Sequence, residues 1–326
     1  MERSRSRKNV WFLNLDAEDE LARPVGYTPS RAMSARIRGL VGKVPLLLGP
    51  GDIVVGDDES GTWQSGGPVS RTKNPGAIPG GPYRGIAWCP TPRAIRGLRK
   101  VGVEIGEAPD LAVLQAVNHR RFNATLGQTL PGGRYVTTVE EVLSAVEEGC
   151  PSGRWILKRP FGYAGRGRLA VEPRRGGDVE RARTWIEASL RDGDGLQVEP
   201  WVERRGDFGL HGYLMRGGEA VFGEPTTQVC DGTGAWVSTA RAGGSDLDPG
   251  EREALFREGE KAGRALYEAG YFGPFGVDAF RWVDEGGSCQ FNPRCEINAR
   301  YSMGWAIGMG GVRPDLGDAT LDVAGE

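Results

Sequence analysis

Apolar and polar positions along the chain switch between a period of two and a period near 3.6, and that switching predicts its elements. Val10 to Leu15 is an apolar run suited to a strand. Thr28-Pro29 then offers an N-cap and an opening proline for a helix over 31 to 41. Ile53 to Val55 reads as a short strand that ends in Asp57, Asp58 and Glu59, and Ile86 to Cys89 as another. Thr91-Pro92 starts a helix through Lys100, and Val101 to Ile105 returns to an extended pattern. This alternation predicts a small α/β layer with a parallel sheet over residues 1 to 108. Within it, Ser60 to Gly85 is rich in Gly and Pro and long for a structureless connection; it reads as a mobile loop, with a lid over a ligand as the alternative.

Beyond Pro109 the pattern changes. A helix is expected across Asp110 to Gly127, with Leu111, Leu114, Val117, Phe122 and Leu126 near one face and Asn118, His119, Arg120 and Arg121 on the polar side. Thr138 and Glu141 form a capping box that opens a helix to about Glu148. Trp155 to Leu157 is a buried-type strand, Lys158 follows where it surfaces, and Gly162, Gly165 and Gly167 punctuate a basic turn before Leu169 to Val171. A helix over Asp178 to Arg191 and a strand over Leu196 to Trp201 complete this part. Strands at Phe208 to Met215 and Ala220 to Phe222 follow, then a long helix from Asp248-Pro249 to Gly270 and two last strands, Phe275 to Val283 and Cys289 to Ile297. The second part is therefore α+β, with hairpins where the first has crossovers.

Composition narrows the class. At 326 residues the chain can hold two or three cores. With 39% hydrophobic and 26% charged residues and a net charge of −2, it reads as a soluble globular protein without the basic footprint of a nucleic-acid binder and without a membrane span. Cys89, Cys150, Cys230, Cys289 and Cys295 have no metal-type spacing and read as reduced thiols of a cytoplasmic protein. Arginine greatly outnumbers lysine, so Lys158 beside a glycine-rich turn stands out.

Two stretches carry candidate chemistry. Around Gly162, Gly165 and Gly167 backbone N–H groups can approach a polyphosphate, although the spacing is neither a Walker A loop nor a dinucleotide fingerprint, and an ordinary hairpin is the alternative. Glu296 and Asn298 lie two apart on the last strand and so share a face; if the two last strands pair antiparallel, Asp278 joins them. Two carboxylates and an amide oxygen make a hard site suited to Mg²⁺, with Mn²⁺ as a substitute, unless they are simply solvated strand residues.

Together these motifs resemble the ATP-grasp superfamily of carboxylate–amine ligases, over roughly residues 110 to 305. The resemblance implies two lobes clamping ATP: a small lobe over 109–198 that carries the glycine-rich loop, and a C-terminal lobe over 199–326 that carries the metal site, both preceded by the α/β layer. It implies that Arg120 or Arg121, Lys158, Gly162, Gly165 and Gly167 contact phosphate, that Glu199, Trp201 and Val202 form the adenine hinge, and that Asp207 holds the ribose. The metal ligands fall on Asp278, Glu296 and Asn298. Many relatives carry an arginine where this chain has Gly276, so Arg300 and then Arg241 are the candidates for substrate-oxyanion contacts. The implied reaction joins a small-molecule carboxylic acid, such as an amino acid or peptide, to an amine through an acylphosphate, with release of ADP and phosphate. Partners are small molecules, neither nucleic acid nor membrane, and a homodimer is compatible with this reading. The rivals are a small-molecule kinase using the same clamp and a non-catalytic nucleotide-binding regulatory protein.

Overall fold

The computed structural model describes residues 8–44, 46–49, 51–56, 63–64, 83–162, 165–175, 177–191, 193–232 and 236–317. The first layer contains β1 (Asn9–Phe12), α1 (Ala17–Ala22), α2 (Arg31–Val41), β2 (Ile53–Val55), β3 (Trp63–Gln64), β4 (Arg84–Ala87) and α3 (Pro92–Lys100). Strand order is β3-β2-β1-β4, with β1 parallel to both of its neighbours. A central parallel strand is covered on both faces, which is why Val10, Trp11 and Phe12 of β1 are all apolar and buried. Val10 and Phe12 pack toward α3, and Trp11 joins the opposite core. Gly97 lets α3 approach, since a Cβ there would stand 2.2 Å from the Phe12 ring.

Three local expectations need correction. The cap of α2 is Ser30, whose hydroxyl accepts the Met33 N–H at 3.2 Å, and not Thr28 with Pro29. Val101 to Ile105 forms no strand; only Ile105 bridges to Gly85. Helix α1, in the acidic run after β1, was not anticipated at all. Most of the Ser60 to Gly85 segment, and with it the choice between loop and lid, lies outside the described residues.

Next come α4 (Leu111–Asn118), α5 (Arg120–Thr125), β5 (Arg134–Val136), α6 (Val139–Glu147), β6 (Trp155–Lys158), β7 (Arg168–Val171), α7 (Asp178–Leu190) and β8 (Leu196–Pro200). The strands form an antiparallel sheet in the order β5-β8-β6-β7. Trp155, Leu157, Val142, Ile186 and Val198 close a separate core beneath it. The single helix expected over 110 to 127 is two helices, broken at His119, whose backbone is extended and whose Nδ1 caps α5 by accepting the Arg121 N–H. Leu114 and Val117 of α4 belong to the large core shared by the first and third sheets. The division drawn at residue 109 thus precedes two helices that pack with the larger body.

The third sheet is antiparallel, in the order β12-β11-β9-β13-β14 with β10 on β9. Its members are β9 (Glu203–Leu214), β10 (Ala220–Phe222), β11 (Thr226–Cys230), β12 (Trp236–Arg241), β13 (Gly273–Val283) and β14 (Cys289–Asn298). Helix α8 (Pro249–Glu268), opened by an Asp248–Glu251 capping box, covers one face, and α9 (Trp305–Met309) follows the last strand. Strands β11 and β12 were missed, although Thr226, Gln228 and Cys230 alternate as a strand should. Among the described residues no helix is long and apolar enough to cross a membrane.

Below the sheet surface His211 is 1% exposed, with Ser302 Oγ 3.1 Å from Nδ1 and Thr226 Oγ1 3.3 Å from Nε2. Glycines make room for its ring: a Cβ at Gly308 would stand 2.5 Å from Cδ2 and one at Gly304 2.9 Å from Nε2. Burial pushes the imidazole pKa down to about 4 from 6.5. An unfolded chain therefore binds the proton first, and His211 withdraws about 3 kcal/mol of stability as pH falls from 6.5 through 4. Denaturant unfolding of wild type and His211→Gln at several pH values isolates this contribution. The variant is expected to lose less stability across that window, and parallel curves would contradict the buried neutral imidazole.

Candidate active site

Strands β13 and β14 pair antiparallel with Asp278 directly opposite Glu296 and Gly276 opposite Asn298. Opposed residues in such a pair share a face, and so do residues two apart. The register therefore brings Asp278, Glu296 and Asn298 to one surface. Asn298 Nδ2 donates to Asp278 Oδ2 at 2.9 Å, and Gln228 Nε2 donates to Oδ1 at 3.1 Å. Burial, then the charge of Glu296, pushes the Asp278 carboxyl up to about 6, against the pull of both amides and Arg300. Gly276 has a steric reason: a Cβ there would lie 3.1 Å from the His211 ring.

Above this surface lies a cleft of about 620 Å³. Its wall includes the metal-type trio and, from the second sheet, Lys158, Gly162 and Gly165. Gly167 is not on the wall; it holds a positive φ of 68° and turns the chain into β7. Gly162 is required by a close approach, since its Cβ would meet the Arg166 carbonyl at 2.7 Å. Tyr163 and Ala164, at the tip, lie outside the described residues. Lys158 pairs with Glu199 on the neighbouring strand at 2.5 Å. Burial alone would raise the Glu199 carboxyl, but Lys158, then Arg204 and Arg120, hold it below its ordinary range.

The break at His119 starts α5 with Arg120, which connects three parts of the site. Its Nη1 donates to Glu296 Oε1 at 2.7 Å, Nη2 to the Gly162 carbonyl at 3.2 Å and Nε to the Arg159 carbonyl at 3.0 Å. Arg121 instead lies over the Tyr135 ring, 5.4 Å from its centroid. Of the two arginines left open by the sequence, the structure puts Arg120 on the cleft.

Glu199, Trp201, Val202 and Asp207 also line the cleft. Two of them behave differently from a simple hinge. The Glu199 carboxylate is engaged by Lys158, and the Trp201 N–H donates to the Arg154 carbonyl at 2.8 Å, so that carboxylate and that N–H are already used. Asp207 accepts from Arg204 at 2.8 Å.

The oxyanion candidates separate. Arg300 lines the cleft yet is 9% exposed and committed: it pairs with Glu18 and donates to Asn298 Oδ1 at 3.0 Å and to the Tyr301 carbonyl at 2.8 Å. It positions the trio. Arg241 is exposed, its Nε directed to the Ile307 carbonyl at 3.4 Å, and is not part of the cleft wall. Sequence reasoning missed Gln228 and Glu18, and also the side chains that α2 contributes to the wall, although Met33, Ile37 and Leu40 recur at helical spacing.

The chain is similar to D-alanyl-alanine synthetase A from Vibrio cholerae at 12% identity, over 94% of this chain and 92% of that one, with a TM-score of 0.50. It is also similar to biotin carboxylase from Campylobacter jejuni at 14% identity, over 92% and 71%, with a TM-score of 0.51. No protein-family model matches the sequence, and a search of curated proteins gives no significant match. At these identities the likeness concerns architecture, and the architecture is the ATP-grasp fold.

The donor set fits a hard divalent cation. Among the described residues no three His, Cys, Asp or Glu side chains gather as a metal centre, but two carboxylates with an amide oxygen suit Mg²⁺, which keeps waters and shares phosphate oxygens. Glu296→Gln retains an oxygen for Arg120, so its unfolding temperature should stay within a few degrees of wild type. Its affinity for Mg²⁺ with ADP should weaken about 10-fold or more, the scale at which even supporting groups of a metal site act. Calorimetry showing equal affinity would remove Glu296 from the site.

Proposed function

We propose that the protein is an ATP-dependent carboxylate–amine ligase. The supporting observation is the single cleft whose wall holds both the lysine and glycine loop of the second sheet and the oxygen-bearing trio of the third. The Campylobacter jejuni neighbour was determined as a complex with an ATP ligand, and carrying a nucleotide over to this chain is part of the proposal. Adenine lies against the hinge after β8, where the Trp201 and Val202 backbone reads the base edge, and Asp207 holds the ribose hydroxyls. Lys158, the backbone of Gly162 and Gly165, and Arg120 receive the phosphates. Mg²⁺, held by Asp278, Glu296 and Asn298, would supply charge neutralisation at the phosphoryl oxygens.

Chemistry of this kind asks the protein for alignment and fixed charge more than for covalent help. A substrate carboxylate attacks the γ-phosphorus, ADP departs, and an acylphosphate remains. An amine then attacks the acyl carbon, loses its proton and expels phosphate, leaving an amide. Throughout, Lys158 and Arg120 hold their positions because Glu199 and Glu296 already fix them. The free thiols agree with a reducing compartment such as the cytoplasm.

The direct experiment measures ADP release with paired carboxylic acids and amines, followed by mass measurement of the product. An amide formed one-to-one with ADP supports the ligase, and a phosphorylated small molecule without an amide contradicts it. Lys158→Ala should lower turnover by about 10² to 10³, the size expected when one preorganised charge donor is lost. Near-normal turnover would take Lys158 out of the phosphate site.

A further inference from the structure

Helix α2 contributes Met33, Arg36, Ile37 and Leu40 to the cleft wall. These stand at i, i+3, i+4 and i+7, so a single stripe of a first-layer helix borders the same space as the trio. Leu15, Trp88 and Met303, from three other segments, extend this wall. Trp88 connects it to the metal-type surface, since the Arg300 guanidinium lies 6.0 Å from its ring and also bonds Asn298. None of these side chains is used by the nucleotide half of the site.

Two polar groups interrupt the apolar wall, and both are donors. Arg36 is half-buried and makes no hydrogen bond or ion pair with any described residue. Of the other cleft arginines, those at 120, 204 and 300 have acidic partners, and Arg166 and Arg168 are not without partners either. Trp88 is 3% exposed, and its indole Nε1–H is buried with no acceptor. A buried donor without an acceptor is costly, and a half-buried guanidinium set among aliphatic side chains selects an anion.

Building on the ligase reading, we propose that the α2 wall binds the amine substrate, and that this substrate is an apolar α-amino acid whose free carboxylate is held by Arg36. Its side chain lies against Met33, Ile37, Leu40 and Met303. Such a molecule supplies all that the wall asks for: an apolar body, one anionic anchor and an amine left free to react.

The test uses the full chain with Mg·ATP, a carboxylic acid that supports ADP release in the paired screen, and a series of amines: L-leucine, L-methionine, L-phenylalanine, L-glutamate, L-lysine and L-leucinamide. Apolar amino acids are expected to support ADP release, with leucinamide showing a KM about 10-fold or more above that of leucine. Arg36→Ala should raise the KM for leucine by about 10- to 100-fold, leave the KM for ATP in place and abolish the preference over leucinamide; Arg36→Lys should restore part of it. Equal KM values for leucine and leucinamide in wild type, or a preference for glutamate or lysine, overturns the proposal while the ligase reading stands. Calorimetry with leucine separates the two ideas further. Leucine binding that depends on Arg36, with no ADP formed from any pair, supports the pocket and defeats the ligase; no leucine binding, with or without Mg·ADP, defeats the pocket.

Discussion

The site depends on one register, the pairing that puts Asp278 opposite Glu296 across β13 and β14. A slip of one residue would turn one carboxylate to the far side of the sheet, because side chains alternate with a period of two. Two carboxylates held opposite one another and half-sunk in protein repel, and the raised Asp278 carboxyl records that repulsion together with burial. The surroundings answer with donors only: Gln228 and Asn298 to Asp278, and Arg120 to Glu296. Such a surface costs stability that a bound cation would return.

That register is held in place from far away. Tyr301, directly beyond β14, packs against Trp11 of the first layer and Trp305 of α9, and its N–H donates to the Trp88 carbonyl. Arg300 reaches Glu18 on α1, 282 residues away, and Asn118 at the end of α4 exchanges two hydrogen bonds with the Ala299 backbone. The first and third sheets therefore share one core, while the second sheet closes on its own. The hairpin around Lys158 thus belongs to one body, and the trio, together with α2, to the other.

Features set by local periodicity were legible in the sequence. The capping boxes at Thr138 and Asp248, the hairpin around Lys158 and the strand pair carrying the trio all follow from patterns within a few residues. What escaped depends on distant partners. The acidic run from Asp16 to Glu20 gives no local sign of burial, yet Asp16, Glu18 and Glu20 are buried because Arg93 and Arg300 arrive from the far end of the layer and of the chain. The break at His119 likewise has no local signal, since the apolar stripe continues from α4 into α5; it exists because Arg120 is pulled to Glu296 and the loop carbonyls. Arg241 looked suitable by composition alone, and only the path of β12 shows that it ends beside α9 and outside the cleft.

Four cations of the cleft are already fixed by protein acids. Lys158 is held by Glu199, Arg120 by Glu296, Arg204 by Asp207 and Arg300 by Glu18. Each cation gives up part of its strength to a protein acid but gains a fixed position, and fixed dipoles and charges stabilise a phosphoryl transition state without reorganisation at the moment of reaction. Arg36 is outside this scheme. Its guanidinium has no acidic partner among the described residues and lies on the largely apolar stretch of wall that α2 forms. Under the proposed reading, a cleft whose nucleotide-side cations are internally balanced and whose α2 arginine is not would hold nucleotide securely while leaving discrimination to the second ligand.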